Sequence, residues 1–104
     1  MDGANFPIEF HNDIDEVEKS ENEFYTLAVG RLSELAEGHN DISGGVVNLR
    51  QPVNYMYEVT IVVYMGSDDI AATEKGEQLH ATLVGALDAV ERQVHERREQ
   101  QPNY

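Results

Sequence analysis

Four residues near the end of the chain, Arg92, His95, Arg97 and Arg98, form the densest group of cations in a sequence with 20 acidic residues against 7 basic ones. Such a cluster could hold phosphate, because guanidinium groups present paired N–H donors and a full positive charge to phosphate oxygens. It could equally be the cationic finish of a helix, where positive side chains face the negative end of the helix dipole. Both readings stand at the level of sequence.

Other arrangements that could do chemistry fail on residue type or spacing. His11, His39, His80 and His95 lack metal-ligand spacing, and His80 and His95 lie about four helical turns apart, too far to share an ion. The stretch from Asp13 to Phe24 imitates a calcium loop only in its carboxylates. Val17 and Glu18 stand where that loop needs an oxygen ligand and a glycine, and Phe24 stands where it needs a bidentate glutamate. There is no Gly-x-Gly-x-x-Gly or P-loop sequence, and Ser43 and Ser67 sit beside turns without a Gly-x-Ser-x-Gly elbow. Asp68-Asp69 reads as a turn pair, not an acid/base couple. With no cysteine, disulfides, thiolate metal sites and thiol nucleophiles are excluded together. These residues predict a binding protein without metal or cofactor, not an enzyme.

The basic cluster needs a helix beneath it, and the sequence supplies one from Gln78 to Arg98. Leu79, Leu83, Leu87, Val90 and Val94 recur every three or four residues and so share one face. Upstream, Phe6, Ile8 and Phe10 alternate with Pro7, Glu9 and His11 as in a half-buried strand, the proline suiting its edge or start. Asn12 to Lys19 reads as a solvated acidic connection. Ser20 and Glu23 have capping-box spacing, so a helix starts near Glu21. It buries Phe24, Leu27, Ala28, Leu32 and Leu35 and ends at Gly38, where a left-handed cap costs little.

Ile42 to Gln51 predicts a strand made irregular by Gly44-Gly45, and Gln51 to Asn54 predicts a turn. Tyr55 to Tyr64 is a strand rich in β-branched and aromatic residues, with Tyr55, Tyr57, Val59, Ile61 and Val63 on one face. Gly66-Ser67-Asp68 turns it into a short strand, Asp69 to Thr73, while residues 99–104 read as a frayed tail. The order βαβββα predicts an α+β fold of one domain, residues 1–104: an antiparallel-rich, four-stranded sheet with two helices packed on one face. Met56, Val62 and Tyr64 then fall on the opposite face as an exposed apolar set.

At 104 residues and 40% apolar content, the chain can build one hydrophobic core but not two. No run approaches the roughly 20 apolar residues of a membrane span. Met1 to Glu9 lacks the basic start and apolar core of a signal peptide, which predicts a cytoplasmic protein. The formal net charge of −13 predicts repulsion from free nucleic acid and anionic membranes. Two origins fit that balance, an acidic surface matched to a basic partner or a salt-adapted acidic proteome. The scarcity of lysine, Lys19 and Lys75 alone, suits the second.

The element order, the length and the run Val90-Glu91-Arg92-Gln93-Val94 resemble the short ribosome hibernation factors, also called ribosome-associated inhibitors or sigma-54 modulation proteins. The resemblance extends from Pro7 to Arg98. It includes Asp69-Ile70-Ala71-Ala72-Thr73, Leu79-His80-Ala81-Thr82-Leu83 and, in the first helix, Arg31-Leu32-Ser33-Glu34-Leu35, where the family tends to have Arg-Leu-x-Lys-Leu-x-Lys. It implies a βαβββα domain that binds the small ribosomal subunit in the decoding channel and blocks messenger and transfer RNA during stress or stationary phase. Basic residues of both helices would carry that contact.

Residue by residue, Arg31 and Arg92 keep the expected cation. Glu34 and Glu37 fall where the family's first-helix lysines lie, and Ala89 and Glu96 where its second-helix basic positions lie. At about 1 kcal/mol per phosphate contact, with repulsion of similar size at each reversed site, these replacements imply a loss of several kcal/mol. His95, Arg97 and Arg98 would offset part of it.

Two functional expectations follow. The first is a ribosome-associated translation inhibitor of the short form, without the extra C-terminal domain of longer relatives, whose RNA-facing residues are Arg31, Arg92, His95, Arg97 and Arg98. The second is an acidic relative that has exchanged ribosomal RNA for a basic protein, using Glu34, Glu37 and Glu96 or the open sheet face. An exposed β-edge and the Tyr/Met sheet face allow a monomer or a weak homodimer.

Overall fold

The computed structural model describes residues 7–14, 21–39, 41–66 and 68–100, with the backbone alone at 21, 22, 68 and 98–100. The elements are β1 (Ile8–Asn12), α1 (Glu21–Gly38), β2 (Ile42–Val53), β3 (Met56–Met65), β4 (Asp68–Gly76) and α2 (Leu79–Gln100). The βαβββα order is the one the sequence predicts. Ser20, the expected helix cap, lies outside the described residues.

The strands stand side by side in the order β1-β2-β3-β4. β1 runs parallel to β2, and the other two pairs are antiparallel. The sheet is therefore mixed, because α1 returns the chain to the same end of the sheet before β2 begins, as a parallel neighbour requires. Val59, Ile61 and Val63 of β3 and Val47 and Leu49 of β2 are fully buried on one face. Leu83, Leu87, Val90 and Val94 of α2, with Ala28 and Leu32 of α1, cover them. Each of these larger side chains contributes about 2 kcal/mol by leaving water.

Several boundaries differ from expectation. Gln51 to Val53 continues β2, and the turn falls at Asn54-Tyr55. The pairing with β1 ends at Leu49, so the stretch holding Pro52 is an edge on that side, where a missing N–H costs no ladder bond. The irregularity expected near Gly44 is present as a register shift between Ile42 and Gly44. β4 runs on past Thr73 to Gly76, with Lys75 opposite Glu58, a favourable cross-strand charge pair. Asn12 to Lys19 is not wholly solvated: Ile14 is buried in the core, and its N–H donates to Asn12 Oδ1 at 3.0 Å.

Gly38 does not take a left-handed cap. Its φ is not positive, and the end of α1 tightens instead through a bond from His39 N–H to the Ala36 carbonyl at 3.2 Å. Among the described residues the left-handed glycine is Gly66, with φ of 52°, in the turn between β3 and β4. α2 reaches Gln100, two residues past the end the sequence predicts. Neither helix is long and apolar enough to cross a membrane.

The junction from β4 to α2 is close-packed. A Cβ added at Gly76 would lie 2.5 Å from Thr82 Oγ1, and that hydroxyl is held by donating to the Gln78 carbonyl at 2.7 Å. Gly76→Ala is therefore expected to lower stability by about 1–2 kcal/mol, read from the urea unfolding midpoint. The same change in a Thr82→Ala background should cost less, since the obstructing oxygen is gone.

Candidate nucleic-acid interface

α1 and α2 lie side by side and point the same way. Three contacts fix this: Phe24 with His80 near their starts, ring centroids 6.4 Å apart, Arg31 with Asp88 midway, and His39 with His95 at the far end, centroids 5.4 Å apart. The sequence offset between partners is nearly constant, as two parallel helices of equal rise demand. Both helices therefore point their C-terminal ends the same way, with α1 ending beside His39 and His95 and α2 running on to Gln100.

Arg31 is the centre of this interface. Its Nη2 donates to Asp88 Oδ1 at 2.7 Å, and its Nε donates to Glu91 Oε2 at 2.9 Å. Asp88 and Glu91 are three residues apart on α2 and so share a face, which lets one guanidinium fork hold both. The hydrogen bond to Glu91, followed by that to Asp88, raises the guanidinium pKa above its ordinary value. Arg31 thus keeps its charge, but two carboxylates hold its Nε and Nη2 and balance that charge locally, which weakens its pull on a phosphate.

The run Glu91-Arg92-Gln93 divides its work. Val90 and Val94 on either side are fully buried. Glu91 is turned to α1, and Gln93 Nε2 donates to the Ala71 carbonyl of β4 at 3.2 Å. Arg92 remains exposed, one helical turn from Asp88 on one side and Glu96 on the other. His95 is exposed but has its ring against His39. Arg97 is half-buried, and the side chain of Arg98 lies outside the described residues.

Glu34, Glu37 and Glu96 are all exposed. In the helix register set by the three contacts, Glu34 is level with Glu91, and Glu37 with Val94. The two-helix face is therefore no continuous basic strip: carboxylates separate Arg31 from Arg92 and Arg92 from the end of α2. Ala89 differs in kind from the other replaced positions, because it is 5% exposed and belongs to the core. A side chain there packs under α2 and does not meet solvent.

Asp88 and Glu91 are the residues that sequence reasoning missed as part of this face. Their signal was their spacing of three on one helix, but the arginine they hold is 57 residues away from Asp88, and only the helix pairing brings it near. Among the described residues, no group of three or more His, Asp or Glu could hold a metal ion.

Two parallel helices over one face of a four-stranded βαβββα sheet place the chain in a recognisable structural class. A ribosomal subunit interface protein from Coxiella burnetii has the same fold, with a TM-score of 0.73 at 14% identity, over 91% of this chain and 100% of that one. The N-terminal domain of Protein Y from Thermus thermophilus gives 0.65 at 19% identity, over 86% of this chain and 94% of that one. No curated protein matches the sequence. The chain belongs to the Sigma 54 modulation protein / S30EA ribosomal protein family, whose model matches residues 10–101. That membership supports a ribosome-associated role.

Proposed function

We propose that the protein is a ribosome-associated translation inhibitor of the hibernation type, which meets small-subunit RNA mainly through the second half of α2. The observation that carries this reading is the division within Glu91-Arg92-Gln93. Its outer residues are engaged by α1 and β4, while Arg92 stands exposed on the helix that also bears His95, Arg97 and Arg98. Family membership across residues 10–101 supports the same reading. Arg31, held by two carboxylates, contributes little to RNA in this arrangement, in contrast to the even two-helix contact implied by the family resemblance.

Co-sedimentation with small ribosomal subunits at native-like salt tests it. Arg92→Glu together with Arg98→Glu is expected to lower the bound fraction at least tenfold, since each reversal removes an attraction and adds a repulsion of about 1 kcal/mol. A wild-type protein that stays in the supernatant would overturn the proposal.

A second reading has its own observation. With the charge of Arg31 balanced by Asp88 and Glu91, the surface around Glu34, Glu37 and Glu96 is acidic across both helices, which suits a basic protein better than RNA. Recovery of one basic protein in a pull-down, lost when Glu34 and Glu37 become lysine, would favour this reading. Recovery of ribosomal RNA alone would rule against it.

A further inference from the structure

The face of the sheet turned away from the helices carries a patterned surface that the ribosome-binding proposal does not use. Val46, Val62 and Ala71 lie in one row across β2, β3 and β4, with Tyr64, 39% exposed, beside them. The next row is polar but uncharged, Asn48, Thr60 and Thr73, the two threonine hydroxyls 3.0 Å apart. Beyond it stand Arg50, Glu58 and Lys75, with Arg50 Nη1 3.7 Å from Glu58 Oε1. At the opposite end of the strands Asp69 is paired with Tyr64. The surface is thus apolar and negative at one end and net positive at the other.

We infer that this face pairs with the same face of a second copy of the chain, the two copies related by a two-fold axis lying in the interface and perpendicular to the strands. That operation lays the Arg50/Lys75 end of each copy over the Tyr64/Asp69 end of the other, so each Lys75 meets the other copy's Asp69. An isologous interface makes that pairing twice.

Charge also selects the occupant. Two chains of net charge −13 repel, and they repel most through the helix faces, where Glu34, Glu37, Glu96 and Asp88 are exposed. The sheet face sets Arg50 and Lys75 against Glu9, Glu58 and Asp69, close to balance. That lacks the positive charge RNA requires, and it lacks the negative charge to draw a strongly basic protein away from the helices. Three strands about 4.8 Å apart over about eight residues at about 3.3 Å each, with the five residues of β1 beside them, offer on the order of 450 Å² per copy. Twice that is the lower limit of a specific interface, so the dimer is weak and reversible. It leaves the helix face open, so it stands or falls separately from the ribosome-binding proposal.

Sedimentation velocity of the full chain over a concentration series tests the pairing. The expected result is a monomer–dimer equilibrium that Val62→Lys abolishes. Asp69→Lys and Lys75→Asp should each weaken dimerisation about tenfold, and the double swap D69K/K75D should regain most of that loss, because it restores both intermolecular pairs with their signs exchanged. Circular dichroism confirms that the variants fold, and if Val62→Lys does not, the charge-swap series decides. A chain monomeric at every concentration, a dimer indifferent to these changes, or a double swap no better than the single ones would overturn the inference.

Discussion

Asp88→Asn combined with Glu91→Gln is expected to raise affinity for small-subunit RNA by roughly thirty- to a hundredfold. The two changes act twice over. They remove two negative charges from the two-helix face, and they leave the Nε and Nη2 donors of Arg31, now held at 2.9 and 2.7 Å, facing neutral amide oxygens that a phosphate can displace. One recovered arginine–phosphate contact and two relieved repulsions together come to about 2–3 kcal/mol. The salt dependence should also steepen by about one counterion, since one more phosphate is neutralised. The stability cost is small, about 1 kcal/mol, because Asp88 is 59% exposed and the Arg31 side chain 27%. Adding Arg31→Ala should take back the part of the gain that belongs to Arg31. Filter binding to small subunits measures all three proteins, and an unchanged affinity in the double variant would remove Arg31 from the RNA-facing set.

Ala89→Lys is expected to destabilise the fold by about 3 kcal/mol or more, with no gain in RNA affinity. The resemblance alone suggests the reverse, since a lysine at this position would restore a family cation. But Ala89 is 5% exposed, beside the fully buried Val90 and Ala86. A lysine there would have to bury an unpaired ammonium or displace close-packed neighbours, and each costs several kcal/mol. Glu96→Lys is the informative contrast. Glu96 is exposed, so that change should leave stability within about 0.5 kcal/mol. Urea unfolding midpoints for the two variants separate a packing position from a surface one, and a stable Ala89→Lys would refute this placement of the residue.

The two positions also indicate how far sequence reaches. Strand β3 was legible because its alternation has period two, and Val59, Ile61 and Val63 occupy the buried face as that period demands. The buried stripe of α2 was legible for the same kind of reason. The parallel pairing of β1 with β2 was not, since no local pattern distinguishes a parallel neighbour from an antiparallel one until the crossover is built. Pro52 misplaced a boundary because its cost depends on whether a neighbouring strand is there to be denied a hydrogen bond. The site suffered most. Arg31 reads as a cation in the sequence, yet whether a cation is available depends on what faces it, and Asp88 faces it only because α1 and α2 are parallel and in that register.

The contact of Gln93 with β4 has a further consequence for how these chains behave when crowded. β4 is the last strand of the sheet, and an outer strand is a template on which another chain can add by backbone pairing. Because the Gln93 amide donates to the Ala71 carbonyl from α2, an incoming strand would find an acceptor in the middle of that edge already taken and a helix beside it. A polar residue between two buried valines thus ties the helix layer to the rim of the sheet, and it does so without adding charge to a protein that already carries a large excess of one sign.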